Sequence, residues 1–123
     1  MTVHPMTDTL QEITNLVNAK CGRTFDVLLL NFYKDGSDYI SLHSDDETSI
    51  DRTAIASLSL GASRIFRLKQ KGAKGIDRVD FLLESGDLLL MKDKCQDDLK
   101  HTVPKSSKVT EGRINLTFRV SRA

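Results

Sequence analysis

Arg113-Ile114-Asn115-Leu116-Thr117-Phe118-Arg119-Val120 alternates without interruption between polar and apolar side chains. Successive side chains of an extended chain point to opposite faces, so Ile114, Leu116, Phe118 and Val120 share one face and Arg113, Asn115, Thr117 and Arg119 the other. The stretch is a strand, and its polar face reads in two ways. It could be the solvated outer face of an antiparallel sheet. Alternatively, two guanidinium forks framing an amide and a hydroxyl could line a pocket for a carboxylate or phosphate. Upstream, Leu28, Leu30 and Phe32 alternate with Leu29, Asn31 and Tyr33, which again puts an amide and a phenol on one face.

Around these two strands the chain is rich in β signals. Apolar and β-branched runs bounded by turn residues predict strands over 26–33, 39–42, 55–60, 63–70, 77–83, 87–91, 101–103 and 113–121. The turns are Lys34-Asp35-Gly36-Ser37, Leu60-Gly61-Ala62, Lys71-Gly72-Ala73-Lys74-Gly75 and Ser85-Gly86-Asp87. About eight short, closely spaced strands predict a barrel or two-sheet sandwich. A double-stranded β-helix, or jelly roll, best accommodates strands that turn a polar face inward. One element differs: Leu10, Ile13, Leu16 and Val17 recur at helical spacing over 9–20, Thr7 or Thr9 can cap the start, and Gly22 can close the end. The expected fold is mainly β with one N-terminal amphipathic helix.

At 123 residues the chain is the size of one domain, 9–123, with residues 1–8 expected to be a flexible end. Its 18 basic and 17 acidic residues leave a formal charge of +1, so charge balance selects no class of partner. No apolar run is long enough to span a bilayer and no leader pattern is present, which points to a cytoplasmic protein without membrane contact. Cys21 and Cys95 form no CxxC pair and read as reduced packing thiols.

His43-Ser44-Asp45 lies between the two polar-faced strands. In an extended segment residues i and i+2 project the same way, so an imidazole and a carboxylate converge. HxD alone is a weak pattern. A divalent iron that must also take dioxygen and a chelating co-substrate needs only three protein ligands on one face, and two histidines with one carboxylate supply them. Of the remaining histidines, His4 lies in the expected flexible end and His101 begins a predicted strand, so His101 is the third ligand to expect.

Six segments in order carry a resemblance: Asn31-Phe32-Tyr33-Lys34-Asp35-Gly36, His43-Ser44-Asp45-Asp46-Glu47, Ala56-Ser57-Leu58-Ser59-Leu60-Gly61-Ala62-Ser63-Arg64, Gly86-Asp87-Leu88-Leu89-Leu90-Met91, His101-Thr102-Val103-Pro104, and Gly112-Arg113-Ile114-Asn115-Leu116-Thr117-Phe118-Arg119. Together they resemble the AlkB family of iron(II)/2-oxoglutarate dioxygenases, which repair alkylated nucleobases. The wording of 43–47 and 86–91 and the short N-terminal part are most similar to AlkB domains of plant-virus replicase polyproteins, with cellular AlkB homologues of similar wording as the competitor; the expected state is a monomer or part of a larger polyprotein, acting in host cytoplasm if viral.

The resemblance implies that His43, Asp45 and His101 ligate Fe(II). It implies that Arg113 pairs with the distal carboxylate of 2-oxoglutarate, that Asn31 and Tyr33 hydrogen-bond it, and that Asn115 and Arg119 complete the pocket floor. Asp46 would act at the methylated base, and Arg64 is expected to face the substrate. The implied reaction is oxidative demethylation of bases such as 1-methyladenine and 3-methylcytosine, with dioxygen as the other co-substrate. Single-stranded nucleic acid is favoured over duplex, because only about 25 residues precede the first core strand, too few for the family's nucleotide-recognition lid, and the viral resemblance tilts the expectation towards RNA over DNA. The basic run Arg64, Arg67, Lys69, Lys71, Lys74 and Arg78 could track phosphates, or be a solvated hairpin. The alternative activity is a 2-oxoglutarate-dependent hydroxylase acting on a protein or small molecule.

Overall fold

The computed structural model describes residues 4–72 and 78–122. The eight strands are β1 (Val27–Tyr33), β2 (Ile40–His43), β3 (Ile50–Gly61), β4 (Arg64–Gln70), β5 (Arg78–Leu83), β6 (Leu88–Lys92), β7 (Leu99–Val103) and β8 (Arg113–Ser121), with helices α1 (Asp8–Cys21) and α2 (Cys95–Asp98). They form two four-stranded sheets, β1-β8-β3-β6 and β2-β7-β4-β5, with antiparallel pairing throughout. Every connection except β4 to β5 passes from one sheet to the other, which is the winding of a double-stranded β-helix. The jelly roll expected from the polar strands is the fold observed.

Expected and observed strands agree in order and differ at their ends. β3 begins at Ile50 rather than residue 55, because its ladder with β8 is interrupted by a register shift that the polar Asp51-Arg52-Thr53 stretch conceals. β2 extends to His43 and β7 begins at Leu99, so both histidines stand inside strands. The one-turn α2 carries no periodicity and was not anticipated. Lys74, the end of the expected 71–75 turn, and the start of the expected 77–83 strand lie outside the described residues.

α1 is closed as the sequence predicts. The Thr7 hydroxyl accepts from the Leu10 amide at 3.2 Å, and Gly22 takes the left-handed conformation at φ 65°. Leu10, Ile13 and Val17 pack on the outer face of the first sheet against Phe118, Leu116, Leu58 and Leu90. Leu16, expected on the same stripe, is 71% exposed, since buried Thr14 occupies the i+4 position from Leu10. Residue 8 lies in the helix, and residues 6 and 7 adjoin it through Thr7 and the Thr14 hydroxyl that donates to Met6 Sδ.

α1 therefore covers Leu116 and Phe118 on the apolar face of β8, and the polar face turns into the barrel. The middle of the first sheet is buried on both sides, while Leu30, Phe32 and Ile114 at one end of its outer face are exposed. Cross-strand register aligns the polar groups: Asn31 and Ser59 flank Asn115, and Tyr33 and Gly61 flank Arg113. Gly61 has φ 97°, and a Cβ there would come within 2.5 Å of the Gly112 carbonyl oxygen, so the row narrows to backbone beside Arg113. Among the described residues no helix is long and apolar enough to cross a membrane, and both cysteines are free.

Candidate metal and anion site

The space between the sheets is a cavity lined from the second sheet by His43, His101 and Phe66, from the first by Asn31, Tyr33, Ser57, Arg113, Asn115, Thr117 and Arg119, and by Asp45. His43 and His101 face each other across the β2–β7 ladder, with ring centroids 4.2 Å apart. Asp45 follows β2 and sets its carboxylate between them, Oδ1 at 3.5 Å from His43 Nε2 and Oδ2 at 3.9 Å from His101 Nε2. One potential ligand atom from each lies within 4.8 Å of the others. Such a set of two imidazoles and one carboxylate suits a divalent transition metal and leaves its other positions open.

The electrostatics of the three groups differ. Burial, with His43 alongside, pushes the His101 pKa down to about 4, leaving a neutral imidazole ready to donate its lone pair. The His43 pKa is raised, chiefly by its hydrogen bond to Asp45, although burial opposes this. Asp45 is held below the usual carboxylate range because His43, Arg119 and His101 together outweigh the opposing effect of burial. His43 Nδ1 lies 2.6 Å from the Ser41 carbonyl oxygen, so Nδ1 carries the hydrogen and Nε2 faces Asp45.

Opposite the triad, the Arg113 side chain is 2% exposed. Its Nη2 donates to Ser59 Oγ at 2.8 Å and Asn115 Oδ1 at 3.3 Å, while its guanidinium lies 5.1 Å from the Tyr33 ring centroid. Nε and Nη1 have no acceptor among the described residues. Burial lowers the Arg113 pKa, and Tyr33 opposes it. A buried fork with two idle donors is costly unless an anion completes it, and a carboxylate matches it. Arg119 reaches the triad itself, with Nη2 3.3 Å from Asp45 Oδ1 and Nη1 3.6 Å from Glu47 Oε1. The donor set thus fits both a divalent iron and a dicarboxylate.

Of the sequence-predicted residues, the cavity gathers His43, Asp45, His101, Asn31, Tyr33, Arg113, Asn115 and Arg119. Asp46 is exposed, next to Asp45 on the segment between β2 and β3. Arg64 requires correction. It is 2% exposed and donates to the backbone carbonyls of Asp35 (3.2 Å), Asp38 (2.8 Å) and Pro104 (2.8 Å), so it fastens two loops and is not available to a nucleic acid. Arg67 is likewise committed, to Asp80 at 2.9 and 3.1 Å, which leaves Lys69, Lys71 and Arg78 of the described basic run. Sequence reading overlooked Ser57, Ser59, Glu47 and Gln96. The two serines were detectable, since they alternate with Ala56 and Leu58 just as Asn115 does with Leu116.

Comparison with known proteins agrees with this geometry. The chain is 40% identical over 124 residues to the alpha-ketoglutarate-dependent dioxygenase alkB homolog 3 of Homo sapiens, covering 94% of this chain and 42% of that protein. It is 37% identical over 122 residues to the human DNA oxidative demethylase ALKBH2, covering 94% and 47%. The chain thus spans less than half the length of these relatives. Its fold superposes on the solved structure of OsALKBH1 with a TM-score of 0.60 at 28% identity, covering 92% of this chain and 60% of that one. The profile of the 2OG-Fe(II) oxygenase superfamily matches residues 1–119, and with His43, Asp45 and His101 gathered opposite the free donors of Arg113, the chain belongs to that superfamily.

Proposed function

We propose that this chain is an Fe(II)/2-oxoglutarate-dependent dioxygenase that removes alkyl groups from the nitrogens of nucleobases in single-stranded nucleic acid. The observation that carries the reading is the pairing of a two-histidine, one-carboxylate cluster with a buried arginine fork that lacks an acceptor. When bound, Fe(II) supplies the activation of dioxygen that couples decarboxylation of 2-oxoglutarate to hydroxylation of an N-methyl group, which is then lost as formaldehyde.

The protein's part is to bind and orient. His43, Asp45 and His101 hold the metal from one side, leaving adjacent positions for the co-substrates. Arg113 receives the distal carboxylate on Nε and Nη1, with Asn31 and Tyr33 beside it and Asn115 and Arg119 forming the floor. Asp46 meets the base. Methylation at the ring positions of 1-methyladenine or 3-methylcytosine leaves a cationic base, which a carboxylate at about 4 Å attracts by roughly 1–4 kcal/mol depending on solvent access. A neutral base gains nothing comparable.

RNA is the favoured polymer, and kinship with AlkB domains of plant-virus replicase polyproteins is the finer placement. Both rest on the wording of 43–47 and 86–91, and the reading frame surrounding the chain tests the second. The enzymatic test is formaldehyde release from methylated single-stranded RNA and DNA, measured side by side with iron and 2-oxoglutarate. Turnover of RNA at least as fast as DNA is expected. Decarboxylation without formaldehyde from either polymer would transfer the reading to hydroxylation of a protein or small molecule. Asp46→Ala should lose activity on cationic methylated bases; unchanged turnover would remove Asp46 from the substrate site.

A further inference from the structure

We propose that Gln96 is a positioning residue for the metal ligands, fixing the backbone of Asp45 and, together with Ser44, joining the two segments that carry the triad into one unit. This rests on the reading that the triad takes a metal. The ligands come from distant parts of the chain: His43 and Asp45 from β2 and the segment after it, His101 from β7. The β2–β7 ladder is imperfect, with a register shift between the Ile40–Val103 and His43–His101 pairs, and β2 itself ends at His43. Asp45 therefore lies beyond the ladder, and regular sheet pairing does not hold its backbone in place.

Gln96 does. It sits on α2, is 1% exposed, and its Oε1 accepts from the Asp45 amide at 2.8 Å. Because that partner is an obligate donor, the orientation of the side-chain amide is settled: Oε1 faces Asp45 and Nε2 faces Met91 Sδ at 3.4 Å. Met91 lines the same cavity from β6. One residue earlier, the Ser44 hydroxyl donates to the Leu99 carbonyl at 2.8 Å, at the start of the strand that carries His101. The His43-Ser44-Asp45 segment is thus tied twice to the α2–β7 segment, once through a side chain acting on its backbone and once through its own hydroxyl. Neither tie touches a metal. Both fix the distance between ligands that the chain alone does not.

A buried amide that loses its only acceptor is left unsatisfied, and the carboxylate it anchors is freed to swing away from the imidazoles. Losing a partner that orients a metal ligand typically weakens metal binding roughly 10- to 100-fold. The test is calorimetric titration with Mn(II), which takes the same nitrogen and oxygen donors as Fe(II), on the wild type and four variants, with hydrogen exchange of the Asp45 amide followed in the metal-free proteins. Gln96→Met, which keeps the volume and removes the acceptor, should weaken Mn(II) binding about tenfold or more and expose the Asp45 amide to exchange. Gln96→Glu keeps an acceptor oxygen at the same place and should recover both. Ser44→Ala should weaken binding in the same direction and carries the test should Gln96→Met fail to fold. Thr14→Ala, in α1, disturbs a buried hydroxyl away from the cavity and should leave Mn(II) affinity unchanged. Equal affinity in Gln96→Met and wild type, or equal loss in Thr14→Ala, would overturn the proposal. A wild type that binds no Mn(II) would instead overturn the metal site on which it rests.

Discussion

Replacing Arg113 by methionine should separate stability from ligand binding, because the two effects rest on different atoms of the same side chain. In the metal-free protein the guanidinium is 2% exposed and only its Nη2 is used. Exchanging a buried charge for an apolar side chain of similar volume is commonly neutral or stabilising by about 1–4 kcal/mol. Against that gain stands Ser59, 1% exposed, whose hydroxyl loses its donor at a cost of about 1–3 kcal/mol. Asn115 Oδ1 keeps the Ser57 hydroxyl at 2.6 Å and loses little. These terms oppose each other, so the unfolding free energy should move by no more than about 3 kcal/mol in either direction. Binding has no such compensation. The variant removes both idle donors, and truncating one side of a desolvated charge pair costs about 2–5 kcal/mol, or roughly 30- to 4,000-fold in affinity. Thermal melts of the metal-free protein together with calorimetric titration of 2-oxoglutarate into the Mn(II) form read the two effects separately. Arg113→Lys, which keeps the charge without the fork, should fall between. Unchanged 2-oxoglutarate affinity in Arg113→Met would refute the anion assignment, and a variant unfolded without ligand would refute that bound.

Acidifying the metal-free protein should cost stability between about pH 6.5 and 4, since burial and His43 hold His101 down at about 4. The unfolded chain takes up a proton through that window and the folded chain does not, a loss of roughly 3 kcal/mol. The His43 contribution has the opposite sign, present at low pH and lost as pH climbs through its raised folded value, so urea unfolding across pH should show a maximum near neutrality; a flat profile from 4 to 6.5 would contradict the buried imidazole. Gly36→Ala should destabilise the fold by about 1–3 kcal/mol or more, because a Cβ there would lie 1.7 Å from the Ser106 carbonyl oxygen, against backbone that cannot move aside easily; differential scanning calorimetry reads it directly. Thr7→Ala should cost about 1 kcal/mol through the lost helix cap, with 2-oxoglutarate binding intact by titration. Arg64→Met should lower the melting temperature, at about 1–3 kcal/mol for each carbonyl left without a donor, while a nucleic-acid contact at Arg64 would instead appear as weakened oligonucleotide binding at unchanged stability.

The fold was legible wherever a period was. Strict alternation in β8 and β1 and helical spacing in α1 gave elements whose type and order hold. Periodicity failed in two kinds of place. The start of β3 is polar and irregular because the register shift between Ile50 and Ile55 removes the alternation there. α2 is a single turn, too short to repeat anything, yet it supplies Gln96 to the backbone of Asp45. Alternation also shows that a strand has two unlike faces without showing which is inside. In β8 that choice depends on α1: with Leu10, Ile13 and Val17 laid over the apolar face, the polar face has only the barrel interior left to occupy.

That inversion accounts for why the cavity-facing position of Arg113 could be read from residue types while the pairing of its neighbour could not. Asn115 looks in sequence like one more hydrogen-bonding group for a ligand. In the fold its Oδ1 accepts from Ser57 and from Arg113 Nη2, and its Nδ2 donates to Thr117 Oγ1 at 2.8 Å, which leaves one amide hydrogen uncommitted. Ser57 and Thr117 engage the asparagine, the asparagine and Ser59 hold one edge of the guanidinium, and Arg113 Nε and Nη1 are left without an acceptor among the described residues. A polar interior is tolerable only when each member has a partner. Here the pairing fixes the guanidinium through Nη2 and leaves Nε and Nη1 idle beside the cavity, so Asn115 orients the fork whether or not it meets an anion itself.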